Sequence, residues 1–286
     1  MTTLAAFPLQ GVIFEGERLR GETLRHGIGR LVLARPALRN AFDALMIEEL
    51  IQCLAAFRAL SPEALRVLVL EGEGSVFCAG ADLGYMRVMA QAGPASNTAD
   101  ALALATLFRS LAAFPAPVVC VAQGAALGGG FGLAACSDIV LADAGAKFAT
   151  TEVRLGIVPG VISPFVLRKV GLAHAAPLML SGRRIAAEEA RTIGLVQRVV
   201  PTPEDLDACL SEVLLDLLQA GPHAARGTKA LLLRAQPLPD AEWTEFTVQA
   251  IVQARASAEG QAGLGAFLAK QPVPWLAGLP TSEGKL

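Results

Sequence analysis

The chain has 286 residues, of which 53% are hydrophobic and 17% charged, and carries a net charge of −2. That composition excludes a disordered chain and offers no basic surface for a nucleic-acid backbone. A mean hydropathy of +0.49 raises the question of a membrane span. The longest weakly polar stretch, Leu111 to Cys136, is broken by Pro115, Pro117, Gln123 and the run Gly128-Gly129-Gly130. Small residues of that kind signal close backbone packing rather than a lipid-facing helix, so no membrane association is expected.

Met1 to Leu9 lacks the basic and apolar regions of a secretory signal. The first strand signal is Leu31-Val32-Leu33, ending at Arg35-Pro36, and a helix follows over about 43–59 with Met46, Leu50, Leu54 and Phe57 at helical spacing. Val67 to Leu70 is a continuous apolar strand flanked by glycines. The segment from Ala90 to Thr98 reads as a mobile loop, a helix is expected over about 100–113, and Pro117 to Val121 forms another strand. Continuous apolar strands separated by helices imply a sheet covered on both faces. Past Val200 the pattern becomes helical. Thr202-Pro203-Glu204-Asp205 is a helix start, with helices expected over about 203–220, 223–235, 240–257 and 259–269. The reading is therefore an α/β core over residues 1–200 and a helical region over 201–286, the latter packing on a neighbouring subunit.

Five scattered cysteines (53, 78, 120, 136, 209), with no C-x-x-C pair, read as the reduced thiols of a cytoplasmic protein. His26, His174 and His223 have no ligand spacing, so no metal site is expected. Cys78 has no histidine beside it in sequence and reads as a packing thiol. Tyr85, Met86 and Met89 suit either an acyl pocket or interior packing.

Three segments bear chemistry. In Gly74 to Leu83, small residues at 79 to 81 let the main chain approach a ligand, with the Ala81 amide free to meet an oxygen and Asp82 placed to cap a helix. In Gly124 to Ala134, glycines open a small-residue helix whose exposed amides suit an anion or a developing oxyanion. There is no G-x-G-x-x-G with a following acid and no G-K-[ST], which argues against a dinucleotide or phosphate loop. In Phe148 to Gly160, Glu152 sits among apolar residues. Burial there raises a carboxyl pKa towards the acid–base range, whereas a salt bridge to Arg154 would make it merely structural.

Order and spacing of these segments resemble the crotonase (enoyl-CoA hydratase/isomerase) superfamily. The matching runs are Arg35-Pro36 with Arg39-Asn40-Ala41-Phe42, Phe77 to Leu83, Gly128 to Gly130, Ser137-Asp138-Ile139, Glu152 to Pro159, Ala187 to Val196, and Glu259 to Lys270. The resemblance spans about residues 25–275. It implies a spiral of β-β-α turns with a C-terminal helical extension, assembled as a homotrimer or homohexamer, that binds an acyl-CoA substrate and uses no cofactor beyond the coenzyme A of that substrate. By match, the amides of Ala81 and Gly129 hold the thioester oxygen and Glu152 is the acid–base residue. Arg39, Ala41, Ala79, Ala81, Asp82 and Leu83 line the coenzyme A groove, and Lys270 reaches a coenzyme A phosphate.

One departure stands out: Gly132 occupies the position of the family's second catalytic glutamate. The neighbouring sequence looks most like bacterial 3-methylglutaconyl-CoA hydratases, which implies a short branched acyl chain with a distal carboxylate and Arg87 or Arg154 as its partner. Isomerisation, decarboxylation, dehydration of a carrier-protein thioester, and a catalytically weak acyl-CoA-binding protein are the alternatives.

Overall fold

The structure is a computed structural model that describes residues 4–235 and 241–280. A hairpin of β1 (Leu9–Glu15) and β2 (Leu19–Leu24) leads antiparallel into β3 (Ile28–Leu33). Helix α1 (Ala44–Arg58) then crosses to β4 (Val67–Gly72), and α2 (Leu83–Gln91) with α3 (Pro94–Ala112) crosses to β5 (Val118–Ala122). A short β6 (Ala125–Leu127) and α4 (Gly129–Cys136) precede β7 (Ile139–Asp143) and β8 (Lys147–Ala149). Next come α5 (Ser163–Ser181), β9 (Ile185–Ala186), α6 (Ala187–Thr192) and β10 (Arg198–Val200). Helices α7 (Leu206–Leu217), α8 (Pro222–Arg234), α9 (Ala241–Ala256) and α10 (Ala258–Leu268) complete the described chain.

The large sheet has the order β1-β2-β3-β4-β5-β7-β10, parallel from β3 onward. Parallel neighbours need a crossover, and each is supplied by helix. A second ribbon, β6-β8-β9, is extended by bridges from Cys78 to Ala126 and from Phe42 to Ala81. Successive turns of chain thus lay one strand in the sheet, one short segment in the ribbon and then a helix. That is the spiral expected from the sequence.

The Val67 to Leu70 run is continuously apolar because both sheet faces are covered. Leu68 and Leu70 face the main core with α1, α3 and α4, whereas Val67 and Val69 face Leu206, Leu210, Val213 and Leu214 of α7. Helix α7 therefore shares its apolar face with the sheet, and its start is tied by a capping box between Thr202 and Asp205. Beyond it, the buried Lys229 ammonium of α8 donates to the Ala116 carbonyl at 3.0 Å and to Asp138 at 2.6 Å. Lys169 of α5 caps the carbonyls of Ser137 and Asp138 at 2.8 and 2.9 Å.

The region from Ala90 to Thr98 differs from expectation. Instead of a loop, α2 runs to Gln91 and α3 begins at Pro94, with Gly93 as its cap and proline in its first turn. The residues that suggested a loop are the punctuation between two helices. The first residue of the helix expected at 240–257 lies outside the described residues. No helix of the described residues is long and apolar enough to cross a membrane.

Candidate active site

Three chain segments meet at the ribbon. Cys78 donates its amide to the Ala125 carbonyl at 3.1 Å and accepts from the Leu127 amide at 3.0 Å. Gly128 donates to the Ala149 carbonyl at 2.9 Å, which brings the stretch before Glu152 alongside. Glycines permit this closeness: at Gly80 (φ +94°) a Cβ would lie 2.9 Å from the Leu127 carbonyl oxygen, and at Gly130 one would lie 2.6 Å from that of Cys78.

Within that junction, the amides of Ala81 and Gly129 donate to no group among the described residues. Phe42 holds both. Its amide donates to the Gly80 carbonyl at 2.7 Å and its carbonyl accepts from Asp82 at 2.8 Å, leaving Ala81 between two fixed bonds. Its buried ring fills the space at Gly129, where a Cβ would be 2.6 Å from the ring edge. Unpaired amides at a fixed spacing, the second at the N-terminus of α4, suit an oxyanion.

The supports of this arrangement carried less signal in the sequence. Asn40, fully buried and at φ +54°, donates its side-chain amide to the carbonyls of Glu73, Val76 and Phe77 and accepts from the Arg35 amide at 2.9 Å. It fixes the strand-to-loop path that delivers Ala79 to Ala81. The Arg35 guanidinium meets the Ala41 carbonyl at 3.0 Å and the carboxylates of Asp43 and Asp82, each at 3.2 Å. These two aspartates cap α1 and α2, so Arg35 ties both helix starts to the site. The sequence showed these residues as a motif; their roles depend on contacts far along the chain.

Glu152 opens a single 3-10 turn, Glu152–Leu155, closed by Gly156 in the left-handed region. A Cβ at Gly128 would sit 3.5 Å from Glu152 Oε1, so the carboxyl lies against the turn that presents the Gly129 amide. Its Oε2 is buried with no hydrogen-bond partner, and burial pushes its pKa above the usual carboxylate range. The salt-bridge alternative is not what forms. Arg154 turns away and donates Nε to the Ser181 carbonyl at 3.1 Å.

Opposite features surround Gly132. A Cβ there would lie 2.5 Å from Ile162 Cγ2 and 2.8 Å from Phe108 Cε1, so apolar side chains fill the place of a second carboxyl. Cys78 is fully buried, donates to the Asn40 carbonyl and has its thiol pushed up to about 12 by burial, which keeps it a packing residue.

The residues expected to line a coenzyme A groove divide. The Arg39 carbonyl accepts from Ala79 at 3.0 Å, so Arg39, exposed and at φ +52°, borders the loop before Ala81. Ala41 is buried beneath Arg35, and Leu83 is exposed at the start of α2. Lys270 is exposed just past α10, and no described bond ties it to the Ala79–Leu83 segment or to Glu152.

Comparison with known proteins agrees with this geometry. The family model for enoyl-CoA hydratase/isomerase matches residues 23–277. The chain is 31% identical over 242 residues to the 2,3-dehydroadipyl-CoA hydratase of Escherichia coli, covering 84% of this chain and 92% of that protein. It is 34% identical over 256 residues to the 1,2-epoxyphenylacetyl-CoA isomerase of the same organism, covering 86% and 93%. Among solved structures, an enoyl-CoA hydratase from Shewanella pealeana superposes with a TM-score of 0.85 at 38% identity, over 91% of this chain and 96% of that one. AtuE of Pseudomonas aeruginosa gives 0.86 at 37% identity, over 91% and 99%. The chain therefore belongs to the enoyl-CoA hydratase/isomerase family, the crotonase superfamily, whose members act on acyl-CoA thioesters.

Proposed function

We propose that the chain adds water to, or removes it from, a short branched enoyl-CoA of the 3-methylglutaconyl kind. The observation that carries the reading is the Glu152 carboxyl lying against the turn of the Gly129 amide, its Oε2 buried without a hydrogen-bond partner. Addition to the β-carbon sends the double-bond electrons to the thioester oxygen, where the amides of Ala81 and Gly129 meet the charge. Glu152, whose burial favours the protonated form, gives its proton to the α-carbon. Arg39 and Lys270 meet coenzyme A phosphates, no metal or redox cofactor takes part, and copies of the chain assemble as trimers or hexamers. The exposed apolar side chains Val248, Ile251, Leu264, Phe267 and Leu268 on α9 and α10 support such assembly. A distal carboxylate on the acyl chain is supported by the name of the dehydroadipyl relative. Arg87, exposed on α2 and bonded to nothing among the described residues, is its proposed partner.

A second reading, double-bond isomerisation, is favoured by one observation: Phe108 and Ile162 leave no room for a water-holding carboxyl at position 132. Loss of the conjugated enoyl absorbance, together with product mass, decides between the two, because hydration adds one water and isomerisation adds nothing. The substrates are 3-methylglutaconyl-CoA, crotonyl-CoA and a longer branched enoyl-CoA. Fast loss with the first, slow loss with crotonyl-CoA and a drop of roughly 10²–10⁴ in Glu152→Gln are expected. A wild-type protein that binds all three and hydrates none would leave isomerisation as the reading.

A further inference from the structure

Gly132 leaves the acyl pocket without a second carboxyl, and a pair of side chains on α2 and α3 has the make-up to replace it. Tyr85, the single tyrosine of the chain, donates its hydroxyl to the Asp100 carboxylate. It lies on the first turn of α2, its own amide bonded to Asp82 at 3.0 Å, four residues past the free amide of Ala81. Its half-buried ring packs against the main hydrophobic core, to which Phe108 and Ile162, the two side chains that fill the space at Gly132, also belong. Asp100 stands four and eight residues before Leu104 and Phe108, so the three share the face of α3 that meets this group.

The carboxyl of Asp100 has no cation beside it among the described residues, and burial lifts its pKa. Of the carboxyls raised in this way, Glu71 is paired with Arg30, whereas Glu152 and Asp100 have no cation beside them among the described residues. A half-buried carboxylate bonded to a phenol is placed to exchange a proton through it.

We propose that the Tyr85 hydroxyl, oriented by Asp100, holds the water that adds to the β-carbon, with Tyr85 the catalytic residue and Asp100 its positioning residue. The proposal rests on the hydratase reading. Water donates to the Tyr85 oxygen. As its oxygen bonds the β-carbon, its proton passes to that tyrosine oxygen and the tyrosine's own proton passes to Asp100. The double-bond electrons move to the thioester oxygen and return as Glu152 delivers its proton to the α-carbon. One water has been added, Asp100 is protonated and Glu152 ionised. A proton passed through solvent from the first to the second resets the site.

The test uses the full chain as wild type, Tyr85→Phe and Asp100→Asn. Hydration of crotonyl-CoA and 3-methylglutaconyl-CoA is compared with exchange of the butyryl-CoA α-proton in D2O, followed by proton NMR. Exchange needs Glu152 and the two amides but no water addition. In both variants kcat for hydration is expected to fall about 10²-fold with KM within about threefold, while exchange falls at least about tenfold less. Equal losses in hydration and exchange would mark a merely structural pair and overturn the proposal, as would hydration within about twofold of wild type. Wild type that exchanges but hydrates neither thioester would refute the hydratase reading, and the water-holding role with it. Wild type that hydrates, matched by Tyr85→Phe, would refute the dyad alone.

Discussion

The two sides of the proposed acyl site are built from different materials. The thioester side is backbone: free amides of Ala81 and Gly129, fixed by Phe42, Asn40 and glycines that tolerate no Cβ. The side proposed for the acyl chain is side chain: Phe108, Ile162, Tyr85 and Asp100, carried on helices and a turn and half open in places. A backbone hole needs only small residues at fixed spacing and stays constant while side chains change. A side-chain wall is rewritten one substitution at a time. This difference explains how the 2,3-dehydroadipyl-CoA hydratase and the 1,2-epoxyphenylacetyl-CoA isomerase can both be relatives of one chain.

Three perturbations test how separate the two sides are. Gly129→Ala is expected to have the largest effect. Its methyl would press on the Phe42 ring at 2.6 Å and displace the amide, lowering kcat about 10²-fold for every thioester, with thermal stability as the control. On the other side, Gly132→Ala meets Ile162 and Phe108 at 2.5 and 2.8 Å. Overpacking of this kind costs about 1–3 kcal/mol, read by denaturant unfolding. Combined with Phe108→Leu, the loss is expected to be smaller than the sum of the single losses, because the second change vacates space for the first. Additive losses would mean that the two residues do not share that space.

The smallest effect concerns stability at Glu152. Burial raises its folded-state pKa above the ordinary 4.5, so between 4.5 and the raised value the folded chain holds a proton that the unfolded chain has lost. Stability therefore falls as pH rises through that window, and the full cost is present above it. Glu152→Gln, inactive, is expected to melt higher than wild type at neutral pH, with the gap closing below about pH 4.5. A gap that widened on acidification would contradict the burial of that carboxyl.

Much of the thioester side was legible in the sequence because its logic is local. Glycines following an apolar strand, and an aspartate immediately before a helical run, state their roles within ten residues. The acyl side was less legible. Nothing near Gly132 in sequence announces Phe108 and Ile162, which arrive from 24 positions before it and 30 after it. Tyr85 was readable only as packing or pocket, since Asp100 becomes its partner once α2 and α3 fold together. The region from Ala90 to Thr98 misled for a related reason: glycine, proline and asparagine mark a loop or a helix start equally well, and the choice belongs to the packing of α3. Asn40 lay within a recognised motif, yet its three carbonyl partners at 73, 76 and 77 give it meaning.

The buried Lys229 has a consequence for synthesis. Chains leave the ribosome from the N-terminus, and most of the sheet, with both amide loops and Glu152, emerges well before residue 229. Until α8 arrives, the Ala116 carbonyl lacks the ammonium that meets it, and the Asp138 carboxylate, bonded by the Val118 amide at 2.7 Å, lacks its ion-pair partner Lys229. The nascent enzyme holds its catalytic groups in order along the chain but closes the loop beyond α4 only late in translation. Lys229 thereby couples the synthesis of α8 to consolidation of the loop beyond α4.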